Sequence, residues 1–503
     1  MPSLESRLIF WLRAAGLFLV MWGVPIAVVD RYGSDVPQAD QWDAEGTRLY
    51  LPWQTHTLTW RAFFAPHNEH RIACTRVLAL GLFLGNGQWD ARLQCVVNAA
   101  LHAAIGVMFF LWGAARLDRR WHRELWLGVV LAGTALPFAF ENLLGGFNSQ
   151  QYFLIGFSLA AIALLGAERP GTSRWWAGLA CAVLAIFSMA AGLLAAATIG
   201  GVVLMTIRTR DDLRRHAATL AACGLVLALG VVLNHHAAHH DFMRAGSVAE
   251  FLAAFRRYVG WPFERMGWYR DLRMAVLPPL VWIPCLWLGG RIVRRPAQMR
   301  PVELIAFAVC GWALLQFAAS AYARGAGAPW PAPRYLDNVL VGLAANVLAL
   351  LIVPPRSLLP PWARRVLVGA STTGLLLAGV GLAVHLHHFV RHELPEQRAT
   401  FERATRNTRV YLADGDPAHL REGEIPYPQT AGLVERLNHP EIRAILPVSL
   451  QPPPGRMGPL SRLAQAAAEA GLVIAGAGVV LLLAAQWRLR RNEVAPGFLA
   501  PHA

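Results

Sequence analysis

The chain has 503 residues and a formal charge of +15, with 55% hydrophobic but only 15% charged residues. Soluble chains carry about 25% charged residues, so the composition excludes a soluble enzyme and a disordered scaffold and predicts an all-α polytopic membrane protein. All the basic residues are Arg, set in short clusters between apolar runs; the charge therefore reports topology, and no nucleic-acid partner is expected.

Apolar runs of the length a crossing helix needs fall near 9–29, 91–113, 125–140, 150–166, 175–191, 192–207, 217–234, 273–290, 302–321, 336–353, 366–386 and 467–486. Arginine clusters at Arg7/Arg13, Arg116–Arg123, Arg169/Arg174, Arg208–Arg215, Arg291–Arg300, Arg356–Arg365 and Arg488–Arg491 occupy alternate connections. The positive-inside rule then predicts twelve crossings with both termini cytoplasmic. The expected domains are a transmembrane module over 1–386, a small extracytoplasmic domain over 387–465, and a last helix with its tail over 466–503. The six cysteines form no CxxC pair and read as small buried hydrophobes.

The first long connection, 30–90, is the most informative. It contains Asp35, then Asp40-Gln41-Trp42-Asp43, then His67-Asn68-Glu69-His70-Arg71. A carboxylate at the water–lipid boundary is partly desolvated, which raises its basicity and suits a general base. Asp40, Asp43 and Glu69 could instead hold Mg²⁺ or Mn²⁺ through oxygen. The alternative for His67–Arg71 is an interfacial helix cap.

Further along, Glu141-Asn142 and Asn148–Gln151 sit at the ends of two spans, where amides such as Gln150 would bind sugar hydroxyls or satisfy helix ends. His235, His236, His239 and His240 read as an interfacial helix end, not a metal site. The stretch 235–272 then alternates aromatics, including Trp268, with arginines, as an amphipathic helix lying on a membrane does. Arg324, Arg334 and Tyr335 follow near a third connection, and an arginine fork there suits a lipid phosphate. A turn at Gln451–Gly455, with three prolines up to Pro454, links the tail domain to the last span.

In its Asp40-Gln41-Trp42-Asp43 and His67–Arg71 elements, Glu141-Asn142 through Gln150, and Arg334-Tyr335-Leu336-Asp337, the chain resembles the GT-C superfamily of integral-membrane glycosyltransferases. That resemblance implies transfer of a sugar from a polyprenyl-phosphate donor to an envelope glycan or lipid acceptor, at the outer face of a bacterial cytoplasmic membrane. It implies Asp40 as base with Asp43 next and Asp35 as outside choice. Arg71, Arg324 and Arg334 would take the phosphate, and Trp42, His67, Asn68, Glu69 and His70 would line the substrate. The competing readings are a flippase or exporter of lipid-linked sugars and a non-catalytic envelope-assembly partner. A transporter needs ionisable residues deep in its spans, where the main polar interruptions are His102 and Gln316, with Glu303 and Asp337 near span ends.

Overall fold

The computed structural model describes residues 4–267, 269–352, 360–453 and 455–494. Arg356, Trp268 and Pro454 lie outside the described residues. Among those described the chain is helical, with no strand, and eight helices are long and apolar enough to cross a membrane. This is consistent with a polytopic membrane protein. Each of the twelve expected spans coincides with a helix. The four that are not among those eight, Arg120–Ala135, Ser149–Leu164, Ser173–Ile186 and Leu193–Thr206, have only 14 to 16 residues, short of the ~20 that a crossing takes.

The first helix, Leu4–Tyr32, packs antiparallel on the last, Gly471–Val494, with backbones in contact. Glycines a heptad apart make this possible. A Cβ on Gly16 would lie 2.8 Å from the Gly478 carbonyl oxygen, and one on Gly23 would lie 2.6 Å from that of Gly471. Small residues at such a seam let helices approach where lipid supplies no hydrophobic drive.

The arginine-bearing connections bind one another's segments. Glu124 pairs with Arg13, Arg208 donates to the Val293 carbonyl at 2.7 Å, and Glu303, fully buried, pairs with Arg291 and accepts from the Arg300 backbone at 2.8 Å. The long connections gather at the other end, called here the loop face.

Three of the helices begin or end part-way along the helix Ala91–Ala114, not at its tip. Tyr152, in the first turn of Ser149–Leu164, stacks on His102 at 4.6 Å. Asp337, in the first turn of Leu336–Leu351, lies 3.9 Å from the same ring. Thr134, at the end of Arg120–Ala135, lies against Gly106. The connecting segments 136–148 and 324–335 therefore dip into the bundle. Irregular backbone at such depth needs internal partners, and three asparagines supply them. Asn98 donates to the Gly146 carbonyl (2.8 Å), Asn142 to that of Arg334 (2.8 Å) and Asn148 to that of Glu141 (2.9 Å). The expected result for Asn98→Leu is a loss of about 0.5–1.5 kcal/mol, the usual net worth of one buried hydrogen bond, here that to the Gly146 carbonyl; thermal unfolding in lipid nanodiscs checks it.

The expected tail domain is not separate. The helix Pro361–His388 runs on through a π-helical stretch, Phe389–Glu393, into Leu394–Asp414, so the boundary at 386/387 falls inside one continuous rod. The tail residues Leu433, Leu437, Ile442, Ile445 and Leu446 are buried together with Trp42, Leu49, Tyr50, Phe83 and Trp89 of the first connection. The two segments share one core and are clasped further by a Trp89 N–H to Ile445 carbonyl bond of 2.8 Å.

Candidate functional site

The first connection is built around a π-helix, Trp42–Tyr50. Its inner face places Glu45 in the shared core, where one carboxylate oxygen accepts from the Gln41 amide (3.0 Å), the Trp89 indole (2.9 Å) and the Gln94 amide (2.9 Å). Burial raises the Glu45 pKa. Glu45 escaped the sequence reading as one more loop acid. Its structural effect is to fix Gln41, and so to aim the neighbouring Asp40 outward.

Asp40 opens into a cleft of roughly 210 Å³ on the loop face, shared with Gln41, Glu141, Phe147, Asn148 and Phe401. The His67 imidazole lies 3.6 Å from its carboxylate, and the Asn68 amide donates to it at 3.4 Å. His67 and His70 exchange backbone hydrogen bonds of 2.8 and 2.9 Å, a tight turn that puts Asn68 at positive φ, where Asn is among the more tolerant residues. The buried guanidinium of Arg76 braces the approach to this turn by donating to the carbonyls of Ala62 (2.9 Å) and Phe63 (3.2 Å).

Contrary to expectation, Asp40 is not made more basic. The His67 imidazole beside it lowers its pKa, outweighing partial burial, so it is an ionised acceptor.

The other expected bases are engaged elsewhere. Asp43 points to the tail, where it accepts from Arg436 Nε at 2.8 Å and from the Tyr427 hydroxyl at 3.0 Å. Asp35 accepts from the Ser449 hydroxyl at 2.6 Å. Trp42 is a core residue whose indole donates to the Pro37 carbonyl at 2.8 Å. Asp40, Asp43 and Glu69 therefore do not converge as the expected metal-binding trio, and among the described residues no group of three or more His, Cys, Asp or Glu is arranged to hold an ion.

Glu69 turns from Asp40 to a second cluster. His240 lies 2.7 Å from its carboxylate, with Arg324 at 3.4 Å. Desolvation would raise Glu69, but the His240 bond, its own backbone and Arg324 prevail and bring it down to about 2. His70 is buried behind the turn and accepts from the Ala190 N–H at 3.3 Å; desolvation lowers it to about 4. Arg71 donates to two carbonyls, those of Leu233 (3.0 Å) and Phe64 (2.6 Å), and so anchors the turn. His240 was missed as a functional candidate, since its motif reads as a helix end and its partner lies far off in sequence.

At the cleft's other wall, Arg334 pairs with Glu141 at 2.8 Å and lies over the Tyr335 ring. Gln150 is buried behind, its side-chain oxygen without a partner.

Both lowered groups act in one direction. A depressed folded-state pKa adds stability above the unfolded value that is lost as pH falls through the folded one. The turn is therefore expected to loosen first as His70 is protonated, from about 6.5 down to about 4, and again as Glu69 is, from about 4.5 down to about 2. Protease sensitivity of the 60–71 segment against pH checks this, with Glu69→Gln expected to weaken the lower step, to which Asp40 also contributes, and to move the His70 step to lower pH.

The fold and site define an all-helical chain, consistent with a polytopic membrane protein, with a carboxylate-bearing cleft between a loop-and-tail cap and the helical bundle. No family model, curated protein or solved structure matches the chain.

Proposed function

We propose that the protein is a GT-C-type membrane glycosyltransferase that moves a sugar from a polyprenyl-phosphate donor to an envelope glycan or lipid acceptor. In this reading the helices make twelve crossings, both termini are cytoplasmic, and the loop face is the outer side of a bacterial cytoplasmic membrane. The observation that carries the proposal is the ionised Asp40 in a cleft walled by Glu141–Arg334, with Glu69–Arg324 joined to it through the His67–Glu69 turn.

Asp40 takes the proton of an acceptor hydroxyl, whose oxygen attacks the anomeric carbon with inversion while the bond to the phosphate oxygen breaks. The leaving polyprenyl phosphate carries the charge away, and Arg334, beside the cleft, is the cation placed to stabilise it. His67 and Asn68 orient Asp40. Arg71 serves the turn and not the phosphate.

A second reading, a flippase or exporter of lipid-linked sugar, draws support from the buried Asp337–His102 pair, since ionisable groups inside a bundle mark transport pathways. The deciding experiment supplies purified protein in lipid with a panel of polyprenyl-phosphate sugars and candidate acceptors. Release of polyprenyl phosphate supports transfer. Movement of labelled lipid-linked sugar across vesicles without release supports transport and overturns the proposal.

A further inference from the structure

Beneath the cleft lies a polar group for which sugar transfer has no use. Asp337 and His102 are held 3.9 Å apart, and Asp337 is 4% exposed. His102 sits about 16 Å along its helix from Ala91 at 1.5 Å per residue, far from either end. The imidazole is stacked on Tyr152. The second carboxylate oxygen of Asp337 accepts from the Asn142 amide at 2.8 Å, and the same amide donates to the Arg334 carbonyl. The side-chain oxygens of Asn142 and Asn98, both fully buried, have no partner.

We propose that Asp337 and His102 form a proton-binding pair inside the bundle, and that its protonation state is passed through Asn142 to Arg334 and Glu141 at the cleft. With one proton between them the two groups are net neutral, as an ion pair or as acid and neutral imidazole; losing it leaves one buried negative charge, and gaining a second leaves one positive charge. Both excursions leave an uncompensated buried charge, so the step at which the carboxylic acid forms or is lost belongs to the pair and not to either residue alone. The charged carboxylate grips the Asn142 amide through a charge-assisted bond, which is roughly twice as strong as a neutral one. Protonating Asp337 weakens that grip. Because Asn142 follows Glu141 in the chain and also holds the Arg334 backbone, the Glu141–Arg334 pair feels the change. The unpartnered amide oxygens give a repositioned proton donor, or a water, somewhere to bind.

Of the titratable groups on other elements, Tyr152 lies against the imidazole, while Arg334, Glu141 and Tyr335 are reached from the pair through Asn142. Cys95 lies two turns away on the His102 helix, and Tyr258 sits edge-on to Tyr335.

The inference does not depend on sugar transfer, and its test needs no substrate. Infrared difference spectra of the protein in lipid nanodiscs, taken between about pH 4 and pH 9, should show a carboxylic-acid C=O band that titrates. Asp337→Asn should lack that band, and His102→Gln should move its midpoint by about one pH unit or more. Hydrogen exchange over 139–148, corrected for the intrinsic effect of pH, should follow the same midpoint in the wild type and lose that dependence in Asp337→Asn. Spectra in which the wild type and Asp337→Asn coincide, or a midpoint that His102→Gln leaves in place, would overturn the proton site. A titrating band without the matching change over 139–148 would overturn the link to the cleft.

Discussion

Asp40→Asn is expected to lower kcat for polyprenyl phosphate release by about 10²–10⁴-fold, the range for loss of a general base, with KM nearly unchanged. Asn is isosteric with Asp and keeps an oxygen for Asn68, so the cleft should retain its shape. Asp43→Asn supplies the contrast. The two residues look equivalent in sequence, yet Asp43 faces Arg436 and Tyr427. Its substitution should leave turnover within a few-fold of wild type while costing about 1.5–3 kcal/mol of stability, as expected for hydrogen bonds to charged groups. Release assays run beside thermal unfolding in the same lipid separate the two effects. If Asp43→Asn stops release in a folded protein while Asp40→Asn does not, the base has been misassigned.

The largest stability effect is expected at the seam between the first and last helices. Gly23→Leu should cost about 3 kcal/mol or more, at or above the upper end for overpacking a core, because any side chain there meets the backbone of Gly471 and Ala475. Gly476 lies on the same partner helix with open space where its Cβ would be, so Gly476→Leu should be near neutral. Unfolding curves in mixed micelles measure both. Equal losses from the two substitutions would point to a general effect of leucine in these helices and not to the close approach of the backbones.

Apolar run length placed every helix that an expected span occupies. What the sequence did not display is which partner each polar side chain would find. Asp40 and Asp43 are three residues apart in one motif, and Arg436 and Tyr427, far along the chain, set Asp43 apart. His240 reads as part of a histidine-rich helix end until Glu69 is seen beside it. Asp337 and His102 pass as isolated polar interruptions because periodicity reports the face a residue occupies, not what stands opposite. The expectation of a more basic Asp40 failed for the same reason: desolvation can be anticipated from position, but the opposing approach of the His67 imidazole depends on how the turn closes. Twelve apolar runs likewise gave no hint that three of their helices would meet at His102.

The clasp between the first connection and the tail also sets an order of events. Trp42, Trp89 and Asp43 leave the ribosome early, whereas Arg436, Ile445 and Ser449 follow some 350 to 400 residues later, about 20–80 s at ordinary elongation rates. For that interval the Trp-rich face of the first connection has no cover, and the nascent chain displays apolar surface that it will later bury. Any protein that escorts this chain during synthesis would find its binding surface there, and release would coincide with arrival of the tail. Newly made molecules would thus acquire a finished cleft only after the tail has emerged.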